Sequence, residues 1–105
     1  MQNKYKVKFT PVAEDDLDKI YQYISEKLDA PEAAMNLMNE IENKVMRLAD
    51  MPYSCVAVDD ELLKSKGYRK LIIKNFLALY VVFEDEKLVK IMRVVYGASN
   101  YKKNI

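Results

Sequence analysis

The chain has 105 residues, half of them apolar and 31% charged, the balance of a folded chain rather than a disordered one, and a single domain over residues 1–105 is expected. Seventeen basic and sixteen acidic residues leave a net charge of +1, well below the excess usual in proteins that grip nucleic acid through its phosphates. The absence of histidine excludes imidazole acid–base chemistry and most zinc sites, and the lone Cys55 cannot close an internal disulfide.

No stretch approaches the roughly 20 apolar residues of a membrane helix, and the opening MQNKYKVKF lacks the apolar run of a secretory leader. A cytoplasmic protein with no membrane partner is expected. Residues 5–9 alternate Tyr5, Val7 and Phe9 against Lys6 and Lys8, the period-two signature of a half-buried strand. Thr10-Pro11 then supplies a helix N-cap and a proline suited to the first helical position. Glu14, Asp15 and Asp16 follow in the first turns, where the helix dipole favours acids. Ala13, Leu17, Ile20, Tyr21, Ile24 and Leu28 form one apolar stripe, which predicts a helix running to about Leu28.

Asp29-Ala30-Pro31-Glu32 breaks that helix and starts another, with Ala34, Leu37, Met38, Ile41, Val45 and Leu48 as its stripe and Met51-Pro52 as its stop. So short a connection predicts a helical hairpin. Residues 51–66 are longer than an ordinary loop, with a short strand expected at 55–58 and a polar stretch at 59–66. Three strands are expected after it, at 68–74, 77–83 and 88–96, with turns centred on Asn75-Phe76 and Asp85-Glu86. The middle strand is apolar on both faces, which marks it as central. The predicted class is α+β, in the order β-α-α-β-β-β: an antiparallel meander with an N-terminal strand and a helical hairpin on one face.

Charge is segregated along the chain. Residues 64–74 hold five basic side chains and no acid, whereas residues 14–18 hold four acids. A basic run beside a sheet suits a phosphodiester, an acidic peptide segment, or merely solvent. Strand parity puts Arg93 and Tyr96 on opposite faces, so they converge on one substrate only if the strand twists or bulges. Arg93 is otherwise an anchor for the C-terminal tail, Tyr96 a half-buried phenol bonded locally, and Cys55 a small buried hydrophobe.

The ordered set FTPVAEDDLDKIYQYI, RLADMP, GYRKL, NFLALYVV and VKIMRVVYG, with Tyr101 shortly beyond, resembles the RelE/ParE superfamily of bacterial type II toxin–antitoxin toxins over nearly the whole chain. The resemblance implies a growth-inhibiting toxin neutralised by a cognate antitoxin, monomeric or dimeric within the toxin–antitoxin complex, with no metal and no cofactor. RelE-like members cut messenger RNA on the ribosome, and ParE-like members inhibit DNA gyrase. For cleavage the resemblance assigns Arg69, Tyr96 and Glu61 as catalytic groups. Lys70, Lys74, Arg93 and Tyr101 would then bind substrate or target. Two departures favour the gyrase reading. Leu77 stands where the nucleases carry an arginine, and Ala98-Ser99 where many relatives carry a basic pair. Losing one such oxyanion-type donor typically raises a barrier by ~3 kcal/mol. A degenerate toxin that only binds its antitoxin is the third reading.

Overall fold

The computed structural model of the chain describes residues 4–98. Strand β1 (Lys6–Phe9) leads into helix α1 (Pro11–Gln22), and α2 (Pro31–Met46) follows. A short helix α3 (Glu61–Ser65) precedes three strands, β2 (Arg69–Ile73), β3 (Phe76–Phe83) and β4 (Leu88–Tyr96). The expected meander is present: β2 with β3 and β3 with β4 are antiparallel. The sheet is nevertheless mixed, in the order β1-β4-β3-β2, because β1 lies parallel to β4 with Lys6 opposite Leu88 and Phe9 opposite Ile91.

Helix α1 starts where the sequence places it. Thr10 is its N-cap, the hydroxyl accepting from the Ala13 N–H at 3.1 Å, and Pro11 opens the first turn. The same hydroxyl donates to the Met92 carbonyl at 3.1 Å, so the cap also ties the helix to β4. The stripe does not run on as one regular α-helix. Residues Tyr23–Lys27 form a π-helical turn, with the Leu28 N–H bonded to the Tyr23 carbonyl at 3.1 Å. Asp29 then takes φ +52°, in the left-handed region, and the Ala30 N–H returns to the Ile24 carbonyl at 3.0 Å.

The main core lies between the hairpin and one face of the sheet. Leu37, Ile41, Val45 and Leu48 from the helical side meet Ile73, Ala78, Tyr80, Val89, Ile91 and Val94. Full burial of a side chain such as Ile91 contributes about 2 kcal/mol. A second, smaller cluster on Val58, Leu63, Tyr68 and Leu79 takes in Leu77, Val81, Met92 and Val95. It explains why β3 is apolar on both sides.

That second cluster exists because residues 51–66 are ordered by more than a loop. The strand expected at 55–58 is reduced to a single bridge, Ala57 to Arg69. It is flanked by bonds from the Val58 N–H to the Tyr68 carbonyl and from the Lys70 N–H to the Val56 carbonyl, both 3.1 Å. The supposedly polar stretch folds as α3, capped by Asp60, whose carboxylate accepts from the Leu63 N–H at 3.0 Å. Gly67 ends the segment at φ +86°, a conformation that a side chain would strain. The first hairpin turn sits at Lys74-Asn75, one residue earlier than expected, with Ile73 paired to Phe76. The second is the 3-10 turn Glu84–Glu86, closed by Lys87 at φ +50°. Among the described residues no helix is long and apolar enough to cross a membrane.

Candidate functional site

The predicted site residues fall into separate places. Arg69 opens β2 opposite Tyr80, and Tyr96 closes β4 opposite Phe76. Those partners are four residues apart on β3, about 13 Å at the usual strand rise. Glu61 is exposed on the first turn of α3, and among the described residues its side chain has no hydrogen bond or ion pair. Lys70 pairs with Asp59 at 3.8 Å and Lys74 with Glu40 at 3.5 Å. Tyr101 lies outside the described residues. The structure does not bring Arg69, Glu61 and Tyr96 together.

Arg93 occupies a closed corner. β4 bulges at Met92: Leu79 pairs with Arg93, the next residue Tyr80 pairs with Ile91, and Met92 is passed over. The bulge comes before both Arg93 and Tyr96, so it leaves them on opposite sides of the strand. Past Ile91 the strand also runs beyond its pairing with β1, and α1 takes over that edge. Asp16 receives Arg93 in a two-pronged pair, Nε to Oδ2 at 2.8 Å and Nη2 to Oδ1 at 3.0 Å, and its Oδ2 also accepts the Val94 N–H at 2.9 Å. The carboxylate beside it holds the Arg93 guanidinium above its ordinary pKa. Arg93 thus fastens α1 to the sheet, and the C-terminal tail it was expected to anchor lies outside the described residues.

Tyr96 points toward the helical side. Its ring meets Phe76 edge-on, centroids 5.8 Å apart, and the residue is 53% exposed, close to the half-burial expected. With Ile20, Tyr23, Ile24 and Leu28 it lines a groove of about 660 Å³ between the π-helical turn and the sheet end. A neighbouring cleft of about 400 Å³ holds Ile72, Lys74, Phe76, Leu77, Gly97 and Ala98. Its one cationic side chain, Lys74, is the one paired with Glu40.

At the other end of the sheet stands a cluster that sequence reading did not reveal. The Glu84 carboxylate accepts from the Tyr5 hydroxyl at 2.8 Å, the Tyr53 hydroxyl at 2.7 Å and the Lys87 ammonium at 2.6 Å. These donors, Lys87 foremost, hold Glu84 down to about 2, and the bond to Glu84 raises the Tyr53 hydroxyl. The Arg69 guanidinium lies over the Tyr53 ring, 5.0 Å from its centroid, and donates to the Cys55 carbonyl at 2.6 Å. Cys55 is accordingly only partly buried, and it acts here through its backbone. Below it the Tyr80 hydroxyl, its pKa raised chiefly by burial, donates to the Pro52 carbonyl at 2.9 Å. Tyr5, Tyr53 and Glu84 are too far apart in the chain for any local pattern to join them; α3 did leave a signal, Asp60 as cap and Gly67 as stop.

The model of the ParE toxin of the type II toxin–antitoxin system parDE matches residues 7–101, all but the ends of the chain. The chain belongs to the ParE toxin family. No curated protein matches it. Among solved structures it is similar to the chromosomal ParDE toxin–antitoxin system from P. aeruginosa, at 26% identity and a TM-score of 0.73, over 90% of this chain and 98% of that one. The RelBE2 toxin–antitoxin complex from Mycobacterium tuberculosis shares the fold, at 21% identity and a TM-score of 0.62, over 94% of this ParE-family chain and 98% of the other.

Proposed function

We propose that this ParE-family chain is a growth inhibitor that acts by binding a protein target, DNA gyrase, and is neutralised by a cognate antitoxin. The observation that carries this reading is the cleft at the start of β3 and the end of β4. Leu77 and Ala98, at positions where the resemblance puts the nucleases' cations, line it, and its one lysine, Lys74, lies 3.5 Å from Glu40. The spread of Arg69, Glu61 and Tyr96 over the molecule points the same way. A protein contact needs a different surface, and the groove beside the helical hairpin suits it. Tyr23, Leu28 and Tyr96 are exposed around it, the kind of aromatic and aliphatic anchors that interfaces use. The ParDE relative and the family match support the same choice.

The test is expression without antitoxin, with gyrase supercoiling assayed and messenger ends mapped in parallel. Loss of supercoiling with intact messengers is expected, and Tyr23→Asp should weaken the inhibition without unfolding the protein. Codon-phased messenger cleavage that disappears in Tyr96→Phe or Arg69→Ala would establish the ribonuclease instead. Absence of growth arrest would leave only antitoxin binding.

A further inference from the structure

We infer that the corner between β2 and α3 is a docking site for a carboxylate side chain of an acidic peptide segment, with Arg69 and Lys64 as its receptors. The corner is an open cavity of about 300 Å³ lined by Tyr53, Ala57, Lys64, Gly67, Arg69 and Val82, among others. Of the guanidinium's N–H groups, one is spent on the Cys55 carbonyl. Among the described residues neither Arg69 nor Lys64 has a carboxylate partner. Arg69 is held by the Tyr53 ring and the Cys55 carbonyl, and so is ordered in advance of any ligand. The wall at Gly67 is uncrowded: a Cβ there would make only ordinary contact with Val81 Cγ1, at 3.7 Å.

The surroundings favour an anion carried by a protein over a nucleic-acid strand. One guanidinium fork and one ammonium match a single carboxylate. A polyanion would also run past Asp59 and Asp60 before α3 and past Glu84, which bonds to Tyr53 of the cavity wall, on a chain whose net charge is +1. Val56 and Leu62 stand 66% and 64% exposed on the neighbouring segments, apolar footing for a peptide. This site is separate from the groove at Tyr23 and Tyr96. It holds whichever target the toxin inhibits, and rests on the toxin–antitoxin reading only in naming the antitoxin as the natural owner of the peptide.

The test follows the Arg69 Nε–H and the Lys64 and Gly67 amides by NMR. The probes are a synthetic glutamate-bearing peptide, its glutamine analogue, inorganic phosphate and a short single-stranded RNA. The glutamate peptide should shift these signals saturably, and the glutamine analogue should bind about tenfold more weakly or worse. Lys64→Gln, an exposed change that spares the fold, and Arg69→Lys, which keeps the charge but loses the fork, should each weaken the glutamate peptide several-fold. Equal binding of both peptides, no effect of Lys64→Gln, or no shift with any probe would each overturn the site as a carboxylate receptor. Stronger shifts with phosphate or RNA would make it a phosphate site instead. Co-purification with the antitoxin tests the toxin–antitoxin reading by itself, so the two failures are distinguishable.

Discussion

Arg93 and Arg69 sit on the same small sheet and have opposite fates. Arg93 is met by both oxygens of Asp16, which also satisfies the Val94 N–H left beyond the end of β1. Arg69 lies against a phenol ring and a backbone carbonyl, with no carboxylate among the described residues and an open cavity beside it. A guanidinium alone therefore says little about function. Its partners decide, and an arginine already holding a carboxylate is a fastening, whereas one ordered without a counter-ion is available to a ligand.

The comparison breaks first at Asp16. Asp16→Ala would take the carboxylate from a part-buried guanidinium and the acceptor from the Val94 N–H together, so a loss of about 3 kcal/mol is expected in urea unfolding. A loss as small as that of an exposed pair would make the closed corner no more structural than the open one. Tyr80→Phe should come next, at about 1 kcal/mol, since it leaves the buried Pro52 carbonyl unpaired. It should also speed hydrogen exchange at Val58 and Lys70, whose amide bonds hold the 51–66 segment in place, while exchange at Val94 stays unchanged.

Tyr53→Ala is expected to cost less, about 0.5 kcal/mol of cation–π and packing energy. Its larger effect should be on the glutamate peptide, because Arg69 loses the ring that holds it still. The smallest effect belongs to Glu84. Its folded pKa, about 2, lies below the ordinary 4.5, so its contribution is present above about pH 4.5 and fades as the pH falls towards 2. Glu84→Gln should flatten stability across that window, with a small loss at neutral pH that vanishes as the pH falls towards 2. The effect is small because the carboxylate is half exposed and water screens it. A steep acid dependence surviving in Glu84→Gln would place the responsible carboxylate elsewhere.

Much of the fold was legible, and the reasons are local. Thr10-Pro11 specifies a helix start through one side-chain acceptor and one missing N–H, and both were where the chain reading put them. The strand patterns of residues 5–9 and 77–83 likewise carried through. The π-helical turn did not show, because its stripe residues still fit a helical spacing to within one position. α3 was hidden by its length, too short for periodicity to register. The bulge did leave a trace: the buried positions run Val89, Ile91 and then Val94, a break in alternation that marks the extra residue at Met92. The candidate site was less legible. Arg69 and the basic run that Lys64 opens were singled out, yet Tyr53 and Glu84, which hold the corner from the other side, were not.

By itself the sequence determined the α+β order, the caps and turns, the apolar faces, and membership of the ParE toxin family, since each rests on residues adjacent in the chain or on their order. Tertiary structure alone decided that β1 lies parallel beside β4, that α3 closes the second face, and which arginine is held by an acid. Arg93 and Asp16 are 77 positions apart, and Tyr5 and Glu84 79 apart. Pairings at such separations are set by how sheet and hairpin pack, which no local pattern encodes. That packing is what turns two similar arginines into one fastening and one receptor.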